Sequence, residues 1–169
     1  PYRVYELKWP ALVLAAFIPQ YFAFFNPNTR TQLSGNLVSI LLVSSVIILR
    51  VFSLLNIHKI SFMPITLGFV LNFLVIILNG GLMPISPDTV RKLLPGQDSQ
   101  WVIGQRLGYG KDIILGPEMT RLWFLSDRFM LPDWLQYPVA FSLGDVLIAA
   151  GVIWLLWSLG GKTKGNLQE

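Results

Sequence analysis

The chain has 169 residues, with 13 Lys plus Arg, 9 Asp plus Glu, one His and no Cys. Apolar types make up 53% and charged types 13%, about half the charged share of an ordinary soluble domain. This excludes a water-soluble globule of the usual kind; the missing thiols exclude disulfides, thiolate metal sites, iron–sulfur clusters and Cys-linked haem. One His also excludes any metal site needing two imidazoles from this chain alone. The length predicts one domain.

Four apolar runs follow in chain order. The first, residues 9–25, carries Pro10 near its start and Pro19 inside. The second, 37–57, is interrupted by Arg50, and the third, 60–78, contains Pro64, Gly68 and Asn72. The fourth, 138–159, holds Asp145 near its beginning. A helix needs roughly 20 residues to cross roughly 30 Å of hydrocarbon, and lipid supplies no partners for free backbone groups. The expected fold class is therefore all-α: a polytopic membrane protein with four transmembrane helices. Turn clusters at Asn26–Thr31 and Asn56–Ser61 predict a tight up-down-up unit for the first three.

Basic residues flank the spans at Arg3, Lys8, Lys59, Lys162 and Lys164, all on one side of a four-crossing topology. Because Lys and Arg near span ends favour the cytoplasm, both termini are expected to be cytoplasmic and residues 79–137 outside. Arg50 then lies about two turns from the inner end, within snorkelling reach. The first run lacks an Ala-x-Ala cleavage site and reads as a retained span.

The connection 79–137 is too long for a simple loop. Helix signals open at Ser86-Pro87-Asp88, Asp98-Ser99, Gly116-Pro117-Glu118 and Pro132-Asp133-Trp134. Apolar residues three to four apart give each a greasy face. With Trp101, Trp123 and Trp134 among them, they predict interfacial amphipathic helices and a docking surface. A folded cap over the bundle is the alternative. Asn79-Gly80-Gly81 before Pro84 reads as the end of the third helix.

Few residues offer chemistry. Asp145 is costly in a membrane helix, about 2.5–3.5 kcal/mol at its centre, and is a functional candidate on that ground. Against this stand its nearness to the helix start and a structural role bonded to a neighbour. Ala140, Gly144, Ile148 and Gly151 follow one helical face, whose small residues permit close helix packing. Asn72 is the expected hydrogen-bond partner of Asp145 across the bundle. Asp127-Arg128 reads as a solvated turn or local ion pair, yet Asp127 and Asp145 could form an acid–base pair near the outer face. His58 reads as a solvated turn residue; the alternative is an axial ligand to a pigment supplied by a larger complex. Gly104–Lys111 lacks the Ser/Thr and the preceding strand of a phosphate loop.

Two resemblances follow. The segments Asn79–Ser86, Leu125–Phe129 and Phe141–Val152 resemble a family of uncharacterised bacterial multi-pass membrane proteins. That implies a bacterial cytoplasmic membrane and no assigned activity. The same end of the chain is similar in outline to the lipoprotein signal peptidases, four-helix aspartyl proteases. Asp127-Arg128 and Phe141–Asp145 match that family's two motifs, with Phe124 and Ser142 standing where it has Asn. This resemblance implies catalysis by Asp127 and Asp145.

The expected function is a non-enzymatic accessory or scaffold subunit of a bacterial membrane complex; the alternative is the aspartyl peptidase. Expected partners are membrane lipids and other membrane subunits. No cofactor of its own is expected, with lipid or pigment contacts arising within a complex. A net charge of +4 spread over both faces forms no basic stripe, so nucleic acid is not expected as a partner.

Overall fold

A computed structural model describes residues 7–97, 101–135 and 137–160. Arg3, Lys162, Lys164 and the expected helix start at Asp98-Ser99 lie outside them. The chain is mostly helical. Helix α1 spans Ala11–Gln20, and Pro19 removes one donor from its interior. Directly afterwards the backbone widens into a π turn, Tyr21–Phe25. A short α2, Pro27–Arg30, is capped by the Asn26 side chain. Helix α3, Gly35–Leu55, starts where the Ser34 side chain accepts from the Leu37 N–H. Helix α4 covers Phe62–Leu78, and the last helix, α6, covers Leu143–Gly160.

Helices α3 and α6 are long and apolar enough to cross a membrane; Ala11–Phe25 and α4 are apolar but shorter. The four pack in a row, α1 on α3, α3 on α4 and α4 on α6. Helices α1 and α6, at the two ends of the row, are not packed along each other. Leu12 of α1 joins Leu155 and Leu159 of α6 in a cluster that also holds Phe52 and Phe62. This cluster sits at the end of the bundle bearing the α3–α4 turn. There Asn56 is fully buried, donating to Phe52 O and Lys8 O (both 2.9 Å) and accepting from Lys8 N–H at 2.7 Å. One side chain thus ends α3 and ties down the segment entering α1.

The α4–α6 contact rests on glycine. A Cβ on Gly68 would come within 2.5 Å of Gly144 O, and one on Gly151 within 2.5 Å of Ile65 Cγ1. Small residues at both faces permit this close backbone approach.

Between α4 and α6 the chain builds a folded cap, so the fold is not purely helical and the expected interfacial helices are replaced. Strand β1, Met83–Ile85, pairs in parallel with β2, Asp112–Ile114. Strand β3, Phe129–Met130, pairs antiparallel with β4, Ala140–Phe141. Helix α5, Pro87–Leu93, starts at Ser86 as its Ser-Pro-Asp signal predicts. The expected helix after Gly116 is two 3₁₀ turns, Pro117–Met119 and Trp123–Leu125, separated by Leu122 in the left-handed region at φ 55°. A helix cannot continue through such a residue. The segment 103–110 is turns, and Asp133–Leu135 is one 3₁₀ turn. Ile85, Val90 and Ile114, all fully buried, give the cap its own core.

Asn79 fastens the cap to α4. Its Nδ2 donates to Val75 O at 2.7 Å and Arg121 O at 2.9 Å, and its Oδ1 accepts from Arg121 N–H at 2.9 Å. Gly80 and Gly81 follow at φ 83° and 87°, the left-handed exit expected of a helix end. A Cβ on Gly81 would also meet Ser39 Cβ at 2.7 Å.

Candidate functional site under the cap

Strand β1 positions the site. On one side it pairs with β2, which carries Asp112; on the other it bridges to Asp127, whose N–H donates to Pro84 O at 3.0 Å. Lys111, immediately before β2, is thereby placed between two carboxylates. Its ammonium donates to Asp112 Oδ1 at 3.1 Å and makes a short contact with Asp127 Oδ2. Asp127 is only 1% exposed, and its Oδ1 has no hydrogen-bond partner among the described residues.

Burial pushes the Asp127 carboxyl up, and Lys111 pulls it only part of the way back. Asp112 and Asp145 add to the upward push, and the pKa stands at about 7. For Lys111, burial alone would lower the pKa, but attraction to Asp112 and Asp127, with a smaller share from Asp145, holds it above the usual lysine range.

Asp145 enters from α6. Its Oδ1 accepts from Asn72 Nδ2 at 2.7 Å, and its Oδ2 accepts from the Ser142 N–H at 3.0 Å. The Ser142 hydroxyl lies 2.9 Å from both Asp145 Oδ2 and Asn72 Oδ1, and its single proton serves one at a time. In return Ser142 Oγ accepts from the Asp145 N–H at 3.1 Å. Serine and carboxylate three residues apart, each bonding the other's backbone N–H, form a capping box. Asp145 therefore starts α6 and also joins it to α4. Gly144 makes room for this: a Cβ there would lie 2.0 Å from Asn72 Oδ1.

Asp127 and Asp145 interact electrostatically. No hydrogen bond joins their carboxyl groups among the described residues, and each is engaged elsewhere. An aspartyl protease dyad shares one proton between two carboxyls; here a lysine ammonium is bound to Asp127 instead. Lys111, Asp112, Asp145, Asn72 and Gln20 rim a cavity of about 400 Å³ reaching down between the helices. Arg106 holds the turn that carries Lys111: its Nε donates to Gly110 O at 2.6 Å, and its guanidinium lies 5.5 Å from the Phe24 ring centroid.

Residues 4–157 match a family of unknown function, DUF5317, and so include the cap and nearly all of the helical row. The chain belongs to that family. No curated protein and no solved structure matches it. An uncharacterised family is what three segments of the sequence resemble, and all three lie within the matched range. In space they converge: β1 bridges to Asp127, β3 pairs with β4, and Phe141 leads into the Ser142–Asp145 cap of α6.

The remaining sequence candidates lie elsewhere. Ala140 does not share the helical face of Gly144 and Gly151; it belongs to β4, and α6 begins at Leu143. His58 is exposed in the α3–α4 turn, at the opposite end of α4 from the cavity. Asp127 and Arg128 are no local pair: Asp127 turns inward, while the Arg128 guanidinium stacks 4.3 Å from the Trp123 ring centroid. Of the three docking tryptophans, Trp123 and Trp134 are exposed. Trp101 instead packs on the cap core beneath Arg91. Sequence reasoning missed Lys111, Asp112, Arg106 and Ser142. For Ser142 the signal was available as the Ser-x-x-Asp spacing; for Lys111 it was a basic residue inside a short glycine-bounded turn.

Proposed function

We propose that this chain is a four-crossing protein of the bacterial cytoplasmic membrane, with both termini cytoplasmic and the cap outside. In this reading it is a non-enzymatic accessory or scaffold subunit of a larger membrane complex. The observation that carries the proposal is the aromatic surface of the cap. Trp134 and Tyr137 are 77% and 69% exposed, and Trp123 and Phe129, both against the Arg128 guanidinium, and Phe124 are about half exposed. Exposed aromatic side chains fit a contact surface, because aromatic residues dominate the energetics of such contacts. The site chemistry supports the same reading. Asp145 and Asn72 satisfy each other, and the Lys111 ammonium takes the place that a shared proton would need in a peptidase.

Helices α1 and α4 fit the role of spans despite their length. Seventeen residues of α4 rise about 25 Å, close to the hydrocarbon thickness, and flanking residues can accommodate the difference.

The test is extraction from native membranes in mild detergent, followed by a native gel and mass spectrometry of co-migrating chains. Migration within a larger assembly, weakened by Trp134→Ala or Trp123→Ala while the spans stay folded, is the expected result. Migration alone would contradict it, as would cleavage of a lipoprotein precursor by the purified protein that Asp145→Asn abolishes.

A further inference from the structure

The cavity under the cap has a mixed lining. Its polar groups are Lys111, Asp112, Asp145, Asn72 and Gln20, and Leu42, Val46 and Leu49 of α3, Phe69 of α4 and Ile148 of α6 are among its apolar ones. At about 400 Å³ it falls within the usual range for small-molecule sites. Residues of both α1 and α6 border it, and those helices are not packed along each other, so no helix–helix contact closes the side between them. A long chain lying among lipid tails reaches that side without crossing water.

The rim selects the head group. Two of the three Lys111 donors go to Asp112 and Asp127, leaving one N–H for a further acceptor. Both Asp145 oxygens already accept hydrogen bonds. Three carboxylates (Asp112, Asp127 and Asp145) surround Lys111, and Arg106 is the second cation within reach of Asp112. Two cations among three carboxylates leave no surplus positive charge, so a phosphate or carboxylate head would be desolvated without compensation. A hydroxyl or carbonyl head can accept from Lys111 at no such cost.

We propose that this cavity binds an uncharged amphiphile drawn from the bilayer, its hydroxyl or carbonyl head at Lys111 and its apolar chain between α3 and α6. The proposal rests on the membrane-spanning reading above but not on the subunit role. Two membrane sources share this chemistry, neutral glycerolipids and isoprenoid quinones or alcohols, and the experiment separates them.

The whole protein is reconstituted in phosphatidylcholine vesicles containing, in separate arms, a monoacylglycerol, a quinone analogue or a fatty acid at equal mole fraction. Each probe carries a photoreactive group in its tail, and adducts are mapped by peptide mass spectrometry. One or both neutral probes should label residues 42–49, and the one that labels identifies the source. Val46→Phe and Leu49→Phe, which fill the cavity from two positions, should each lower that labelling by about tenfold or more. Ile40→Phe, on an exposed face of the same helix, should leave it unchanged. Two variants keep the test valid if one fails to fold. Labelling by the fatty acid as strong as by the neutral probes would overturn the proposal. So would the absence of neutral labelling at 42–49, or labelling that survives in every folded cavity variant.

Discussion

Burial strips water from the Asp127 carboxyl, and the Lys111 ammonium returns only part of what is lost, so the pKa is raised from 3.8 to about 7. The folded protein therefore holds a proton at Asp127 that the unfolded chain has released over this range. The stability contributed by this group is fully present below about pH 4 and is lost as pH rises through about 7. Asp127→Asn cannot titrate, so thermal unfolding in detergent should depend less steeply on pH between about 4 and 7 than in the native protein. An unchanged slope would mean that Asp127 is not the group responsible. Residue-scale features were unevenly legible. The Asn72–Asp145 bond could be anticipated because each is a rare polar group in an apolar run and a buried polar group needs a partner. The Lys111–Asp127 pair could not, because the two lie 16 positions apart, across β2 and two 3₁₀ turns, and no periodicity aligns them. Asn56 was hidden for the same reason, since its partner Lys8 lies 48 residues away.

Among the elements, the helices follow the apolar runs closely, with α3 at Gly35–Leu55 and α4 at Phe62–Leu78. The start of α6 does not. Residues 138–141 are apolar, and a run of four apolar residues does not distinguish strand from helix; pairing of Ala140–Phe141 with Phe129–Met130 decides it. The Ser142–Asp145 capping box marks the true boundary. The cap departs further, because spacing of three to four continues across Gly116-Pro117 and Leu122, where the backbone leaves helical geometry. The glycine contact between α4 and α6 gives a direct element-scale test. Gly144→Val would force Asn72 away and push the helices apart, at an expected cost of about 1–3 kcal/mol. Gly35→Ala meets nothing within 4 Å, and should be neutral or slightly stabilising in the same unfolding assay. Equal effects from the two substitutions would show that α4 and α6 are not closely packed.

At the scale of the molecule, the structure joins a row of four helices to a folded cap, with one apolar cluster shared between them. In the helical row, α4 and α6 are held by close backbone approach at Gly68, Gly144 and Gly151 and by the Asn72–Asp145 bridge, Ser45 bonds α1 to α3, and two apolar clusters fill the rest. The cap carries its own apolar core of Ile85, Val90 and Ile114. The proposal that the row crosses the membrane four times, with the cap on one face and the α3–α4 turn on the other, can be tested by labelling. The chain has no cysteine, so single substitutions report without background. Trp134→Cys and His58→Cys, both exposed, would be treated with a membrane-impermeant maleimide on intact cells. Trp134→Cys should label at once and His58→Cys only after permeabilisation. Labelling of both positions from the same side would contradict the four-crossing arrangement.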